Sequence, residues 1–164
     1  AKQSSFLWQL FFLFTKENPN KRGKKMKYWW DKSGLRFECV MCGKCCGGEP
    51  GSVWVSEQET SLIGGFLNIN LHKLRKDFLV RKMGKLSIKE KENFDCIFLN
   101  SENHKCEIYQ ARPIQCRTFP FWETLLLEKE AWDFYAERCP GMNNGTNYTP
   151  DEIKKIITGK EHEE

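Results

Sequence analysis

The sequence predicts a small single domain of the α+β class, built around a cysteine-rich metal-binding loop with a short β-hairpin and three to four helices. Three observations support this. Four of the eight cysteines fall within residues 39–46, interleaved with and followed by Gly43, Gly47 and Gly48, where a loop must bend around something. Two capping-box signatures, Ser56-x-x-Glu59 and Thr149-Pro150-Asp151-Glu152, open helix-like stretches. Residues 94–109 hold two short β-prone runs around a polar turn. At 164 residues the chain supplies one domain with a modest core, too little for a catalytic domain plus a separate cofactor domain.

Taken in order, residues 1–25 read as a flexible leader: an aromatic-rich apolar stretch from Phe6 to Phe14, then a basic run from Lys16 to Lys25 with no core-forming period. Met26 offers a natural start, so residues 26–164 are read as the domain and membrane association is expected only if the leader is native. Tyr28-Trp29-Trp30 and Leu35-Arg36-Phe37 bring large apolar side chains up to the cysteine loop as core. Pro50-Gly51 marks a turn and Val53-Trp54-Val55 a β-prone run. The first helix starts at Ser56 and runs through Ile63, weakened by Gly64-Gly65. Leu71, Leu74, Phe78 and Leu79 recur at helical spacing, which predicts a second helix from Leu71 to about Lys82. Lys85 to Lys89 alternates polar and apolar and reads as a strand.

Phe94–Leu99 and Lys105–Tyr109 are expected to form the hairpin, bringing Cys96 near Cys106. The following segment carries Cys116 between Arg112 and Arg117. A third helix is expected from Leu125 to Arg138, stopped by Cys139-Pro140-Gly141, and a last one from Thr149 to about Thr158, ended by Gly159.

The formal charge of +4 is concentrated at the start: residues 1–27 carry seven Lys/Arg and one Glu, leaving 19 basic and 21 acidic residues in the rest. The folded part is therefore not a nucleic-acid binder by charge. Eight cysteines suit either a secreted disulfide scaffold or a metal site. The basic residues around Phe6–Phe14 mostly follow it instead of preceding it, no small-residue cleavage site stands behind it, and it is short of the ~20 apolar residues that span a bilayer. A cytoplasmic, reducing setting follows, in which grouped cysteines hold metal.

Thiolates are soft ligands, which narrows the cofactor to zinc or an iron–sulfur cluster. Cys39-x-x-Cys42-x-x-Cys45 has the spacing of bacterial ferredoxin ligands and Cys139-Pro140 supplies a distant Cys-Pro, so spacing leans towards a [4Fe–4S] cluster on Cys39, Cys42, Cys45 and one remote cysteine. Cys46 is expected to point away from Cys45, since adjacent side chains in extended backbone face opposite ways, and to serve a second metal with Cys96, Cys106 or Cys116. His104 is the one histidine near enough in sequence to be a further ligand. Arg112 and Arg117 are candidates to donate to thiolates or cluster sulfurs, or to grip an anionic substrate. Asp95 and Tyr109 have no evident role beyond support.

Together Phe37-x-Cys39-x-x-Cys42-Gly43-x-Cys45-Cys46, Cys96-x-Phe98-Leu99, Cys106-x-Ile108-Tyr109-x-x-Arg112-Pro113-x-x-Cys116-Arg117-x-Phe119-Pro120-Phe121 and Cys139-Pro140-Gly141 resemble the CxxCxxCC cysteine-cluster family, labelled YkgJ-like and zinc- or iron-chelating. The resemblance runs over about residues 28–157. It implies a small intracellular α+β metal-binding protein with all eight cysteines as the matching positions. Some members are labelled as similar to flagellin lysine N-methylases, which makes a protein lysine N-methyltransferase-like enzyme the alternative. The glycine-rich strand-to-helix turn of common methyltransferases and the CxxxCxxC of radical enzymes are both missing from the sequence. A structural zinc module docking on a partner protein through Trp29, Trp30 and Trp122 is the third reading.

Overall fold

The computed structural model describes residues 28–159; the expected leader, and with it the membrane reading, lies outside the described residues. In chain order the elements are β1 (Leu35–Phe37), α1 (Glu57–Phe66), α2 (Leu71–Phe78), β2 (Leu79–Lys82), β3 (Lys85–Ile88), α3 (Ile114–Arg117), α4 (Glu123–Leu126), α5 (Lys129–Arg138), β4 (Thr146–Tyr148) and α6 (Pro150–Thr158). Short 3-10 turns cover Lys44–Cys46 and Tyr109–Ala111. The architecture is α+β, with four helices of eight residues or more and two single-turn helices among the described residues. Among the described residues no helix is long and apolar enough to cross a membrane.

Both capping boxes form. Ser56 Oγ accepts from the Glu59 N–H while Glu59 accepts from the Ser56 N–H at 2.8 Å, and Thr149 and Glu152 repeat the arrangement at the start of α6. Glu59 also accepts from the Ile114 N–H at 2.7 Å, so one carboxylate closes a helix and tethers α3 to it. Burial would raise the pKa of Glu59, but the Ser56 and Ile114 amides outweigh it and hold the carboxyl below its ordinary range. Gly64-Gly65 does not break α1, because Gly64 packs under Leu71.

One sequence expectation is corrected around residue 80, and two others further along the chain. The second helix stops at Phe78, and Leu79–Lys82 pairs antiparallel with β3, Leu79 opposite Ile88 and Lys82 opposite Lys85. Met83 and Gly84, at φ of 49° and 78°, make the two-residue turn that a tight hairpin requires. Pairing buries Leu79 and Ile88, which a continued helix would not achieve. The hairpin expected at residues 94–109 is reduced to isolated bridges, Glu90 with Cys96 and Leu99 with Cys106, since Phe94 and His104 turn the backbone to positive φ. Val53–Val55 adds to the outer edge of β3 through Val55 N–H to Leu86 O and Ile88 N–H to Val53 O. The expected helix over 125–138 splits into α4 and α5 at Glu128, whose backbone is extended.

The core has two parts. One gathers Trp30, Leu35, Phe37, Phe119, Phe121, Leu125, Leu126, Trp132, Cys139, Met142 and Ile153; the other gathers Val55, Ile63, Leu74, Leu79, Ile88, Phe98 and Ile108. β1 pairs antiparallel with β4 to close the first. The tryptophans expected as a docking surface belong here instead. Trp30 is fully buried, and Trp29 and Trp30 both donate their indole N–H to Leu126 O at 3.2 Å. Trp122 is half-buried and donates to Gln115 O at 2.8 Å.

Candidate metal centre

The cysteine loop leaves β1 and is fastened on three sides. The Glu38 N–H donates to Gly141 O at 3.0 Å, and a Cβ on Gly141 would stand 2.1 Å from Glu38 O, so the approach to Cys39 lies flat against Cys139-Pro140-Gly141. Gly43, at φ 72°, faces His104 O at a distance that excludes any side chain. The Cys46 N–H then donates to Gly43 O, closing the turn, and Cys46 O accepts from the Cys96 N–H at 2.6 Å. Arg138 holds the exit, donating to Glu49 at 2.9 Å and to Gly47 O at 3.4 Å.

The turn at Lys44–Cys46 overturns the expectation that Cys45 and Cys46 diverge: in a helical turn, unlike an extended strand, the two sulfurs stand 3.8 Å apart. The Cys46 thiol is hydrogen-bonded to both Cys45 and Cys106. These contacts favour the thiolate at Cys45 and at Cys106, each held down at about 7, and raise the pKa of Cys46, whose single S–H serves one of the two at a time. Burial pushes Cys96 up to about 11 and Cys116 up to about 12, and the neighbouring thiols add to both. Cys139, buried in the first core, is also pushed up by burial and further by Cys42 and Cys45. Cys39 and Cys45 are exposed.

Two overlapping groups result. On the inner side Cys46 meets Cys45 and Cys106, and the charges of Cys45, Cys96 and Cys106 reach Cys116, with Cys96 and Cys106 packed against the second core; these thiols make the inner group. Cys39, Cys42 and Cys139 lie along the other side, and Cys45 is within electrostatic reach of both. Among the described residues no three Cys, His, Asp or Glu side chains are grouped so as to hold a metal ion. The donor set is thiol alone, and its chemistry suits zinc or iron over magnesium or calcium.

Arg112 borders the thiols. Its Nε donates to Tyr109 O at 2.8 Å, its guanidinium stacks 3.5 Å over the Tyr109 ring, and its charge lowers Cys45, Cys106 and Cys116. Arg117 is exposed and its field falls on Glu59. His104 is exposed at its turn, and Asp95 walls the loop at Gly47. Tyr109, expected only as support, meets the thiols directly: its hydroxyl donates to Cys39, which raises its own pKa. The available signal was its i, i+3 spacing to Arg112 across one turn.

These shifts set the pH dependence of the metal-free fold. Cys45 and Cys106 have folded pKa values below a free thiol, so their stabilisation is full above the free-thiol value and is lost as pH falls through about 7. Cys46, Cys96 and Cys116 are raised, so theirs is full below the free-thiol value and is lost as pH rises towards about 11 and about 12. Thermal unfolding of the metal-free protein is therefore expected to peak near pH ~8.5. The peak should move to lower pH in Cys46→Ala, which removes the contact that lowers both Cys45 and Cys106.

No solved structure gives a significant match to this chain. An uncharacterised protein of Methanocaldococcus jannaschii is similar, 27% identical over 139 residues that cover 82% of this chain and 73% of that protein. The CxxCxxCC family model, described as "Putative zinc- or iron-chelating domain", matches residues 38–140, from the residue before Cys39 to the one after Cys139. With its thiols drawn from four separate segments and most of its length matched, the chain belongs to the CxxCxxCC family of zinc- or iron-chelating domains.

Proposed function

We propose that this protein chelates a single thiophilic ion, zinc or iron, on the inner thiols, and that metal handling or the maturation of another protein is its role. The contact between Cys45 and Cys46 carries the reading. Sulfurs ~2.3 Å from a tetrahedral zinc stand about 3.8 Å from one another, and the Cys45–Cys46 separation is 3.8 Å. Cys45, Cys46 and Cys106 would hold the ion, with Cys96 or Cys116 as the fourth sulfur and Arg112 offsetting part of the thiolate charge. Bound there, the ion would supply a closed centre that ties the loop to the second core. All eight cysteines are free thiols, the state a reducing cytoplasm would maintain.

A [4Fe–4S] cluster on Cys39, Cys42, Cys45 and Cys139 is the second reading. It is favoured by the three-cysteine spacing and by the electrostatic contact of Cys139 with Cys42 and Cys45. The lysine N-methyltransferase-like reading rests on the family resemblance alone; Gly64-Gly65, the pair nearest to a nucleoside-binding turn, lies inside α1.

Elemental analysis with a visible spectrum, on protein purified without oxygen, separates these. One zinc per chain without visible absorbance supports the single-ion reading. One iron without sulfide, with a thiolate-to-iron band, supports it with iron. About four iron with matching sulfide selects the cluster. A chain that binds neither metal defeats both.

A further inference from the structure

A cavity of about 150 Å³ lies on the side of the first core reached by β1, α3 and α6. Buried Phe37, Phe119 and Phe121 form its floor and half-buried Tyr148 and Ile156 its wall, with exposed Arg117 at the rim. Phe37 meets Phe119 and Phe121 edge-on at 5.9 and 6.0 Å, so the floor is a fixed aromatic surface. The Arg117 guanidinium makes no hydrogen bond or ion pair among the described residues, and neither does the Tyr148 hydroxyl. Glu59, the carboxylate that feels Arg117, has its oxygens occupied by Ser56 and by the Ile114 N–H. Arg117 is thus a cation without a committed partner beside a hollow floored by aromatic rings.

We propose that this cavity binds a small monocarboxylate whose apolar body is no larger than a benzene ring. A hollow of about 150 Å³ has room for a body the size of benzene, and a guanidinium at its rim pairs with a carboxylate through two parallel hydrogen bonds. The Tyr148 hydroxyl supplies a further donor at the wall. Two or more charges, or a longer chain, would strand polar atoms against Phe119 and Phe121. The site is distinct from the thiols, although Arg117 follows Cys116 and Phe37 lies on the strand leading to Cys39.

The test is an NMR titration of the isotope-labelled full chain, as purified, with benzoate and with benzyl alcohol as its neutral counterpart. Benzoate is expected to give saturable shifts at Phe37, Tyr148 and Ile156. Benzyl alcohol should bind about tenfold more weakly or worse, and Arg117→Gln should lose about tenfold in benzoate affinity at an unchanged unfolding temperature, with Arg117→Lys between. Ile156→Phe, which fills the hollow and leaves Arg117 in place, should abolish the shifts. No saturation by millimolar benzoate, or equal benzoate affinity in wild type and Arg117→Gln, would overturn the proposal.

Discussion

Cys106→Ser is expected to remove the tightly held ion. Competition against a chromophoric chelator should show metal affinity lowered by more than about 100-fold, because losing an outer partner of a metal ligand already costs about 10- to 100-fold. Cys106 is chosen because it meets Cys46, lies in the field of Arg112 and packs on the second core, so its sulfur sits where the inner group converges. Serine keeps the volume and replaces a soft donor by a hard one. Unfolding temperature should fall with the lost metal, since binding free energy at a structural site is folding free energy. Cys39→Ser is the internal control: Cys39 is exposed, bonds Tyr109 and stands outside the inner group, so this variant should keep its ion. Equal affinity in Cys106→Ser and wild type would rule out the inner group. Loss in Cys39→Ser with retention in Cys106→Ser would move the site to the cluster set.

Trp30→Ala is expected to cost about 3–5 kcal/mol of stability, the usual range for truncating a fully buried tryptophan. At this chain length the unfolding temperature should drop by roughly 10 °C. The ring stacks on Tyr28 at 4.7 Å between centroids and has the Lys154 ammonium 5.8 Å from its centre, so alanine leaves a hollow that no neighbouring side chain is free to fill. Trp30→Phe separates packing from hydrogen bonding. Leu126 O would still accept from Trp29, so the lost indole donor should cost at most about 1 kcal/mol. If Trp30→Ala unfolds within a degree or two of wild type, Trp30 is a surface residue and the docking-module reading returns.

Helix starts were legible because a capping box is a local contract: Ser56 with Glu59 and Thr149 with Glu152 need only each other. The boundary at Phe78 was not, because Leu79 satisfies the helical stripe and the strand equally well. Burial opposite Ile88, nine residues on, decides between them. The Met83-Gly84 turn lacks the usual Asn-Gly or Asp-Gly pair, which hid the true hairpin, while a polar turn at Asn100 advertised one that shrank to bridges. That the cysteines carry the site was plain from spacing. The closeness of Cys45 and Cys46 was not, since their relative direction depends on a single turn set by Gly43. The partition of Arg112 from Arg117 arises because Arg112 closes the Tyr109–Ala111 turn while Arg117 ends α3 beyond Pro113, and sequence spacing does not resolve that.

The pairing of β1 with β4 makes the first core a clasp of residues 30–37 and 119–153 around an unbroken middle that supplies the whole second core. Asp31 and Lys154 fasten it at 2.9 Å. Entry to and exit from the fold therefore lie side by side, as in a bead whose thread passes through one hole. Such a domain can be set into a surface loop of a host protein without prying that loop apart, and pulling on both strands of the thread loads the clasp before it loads the thiols.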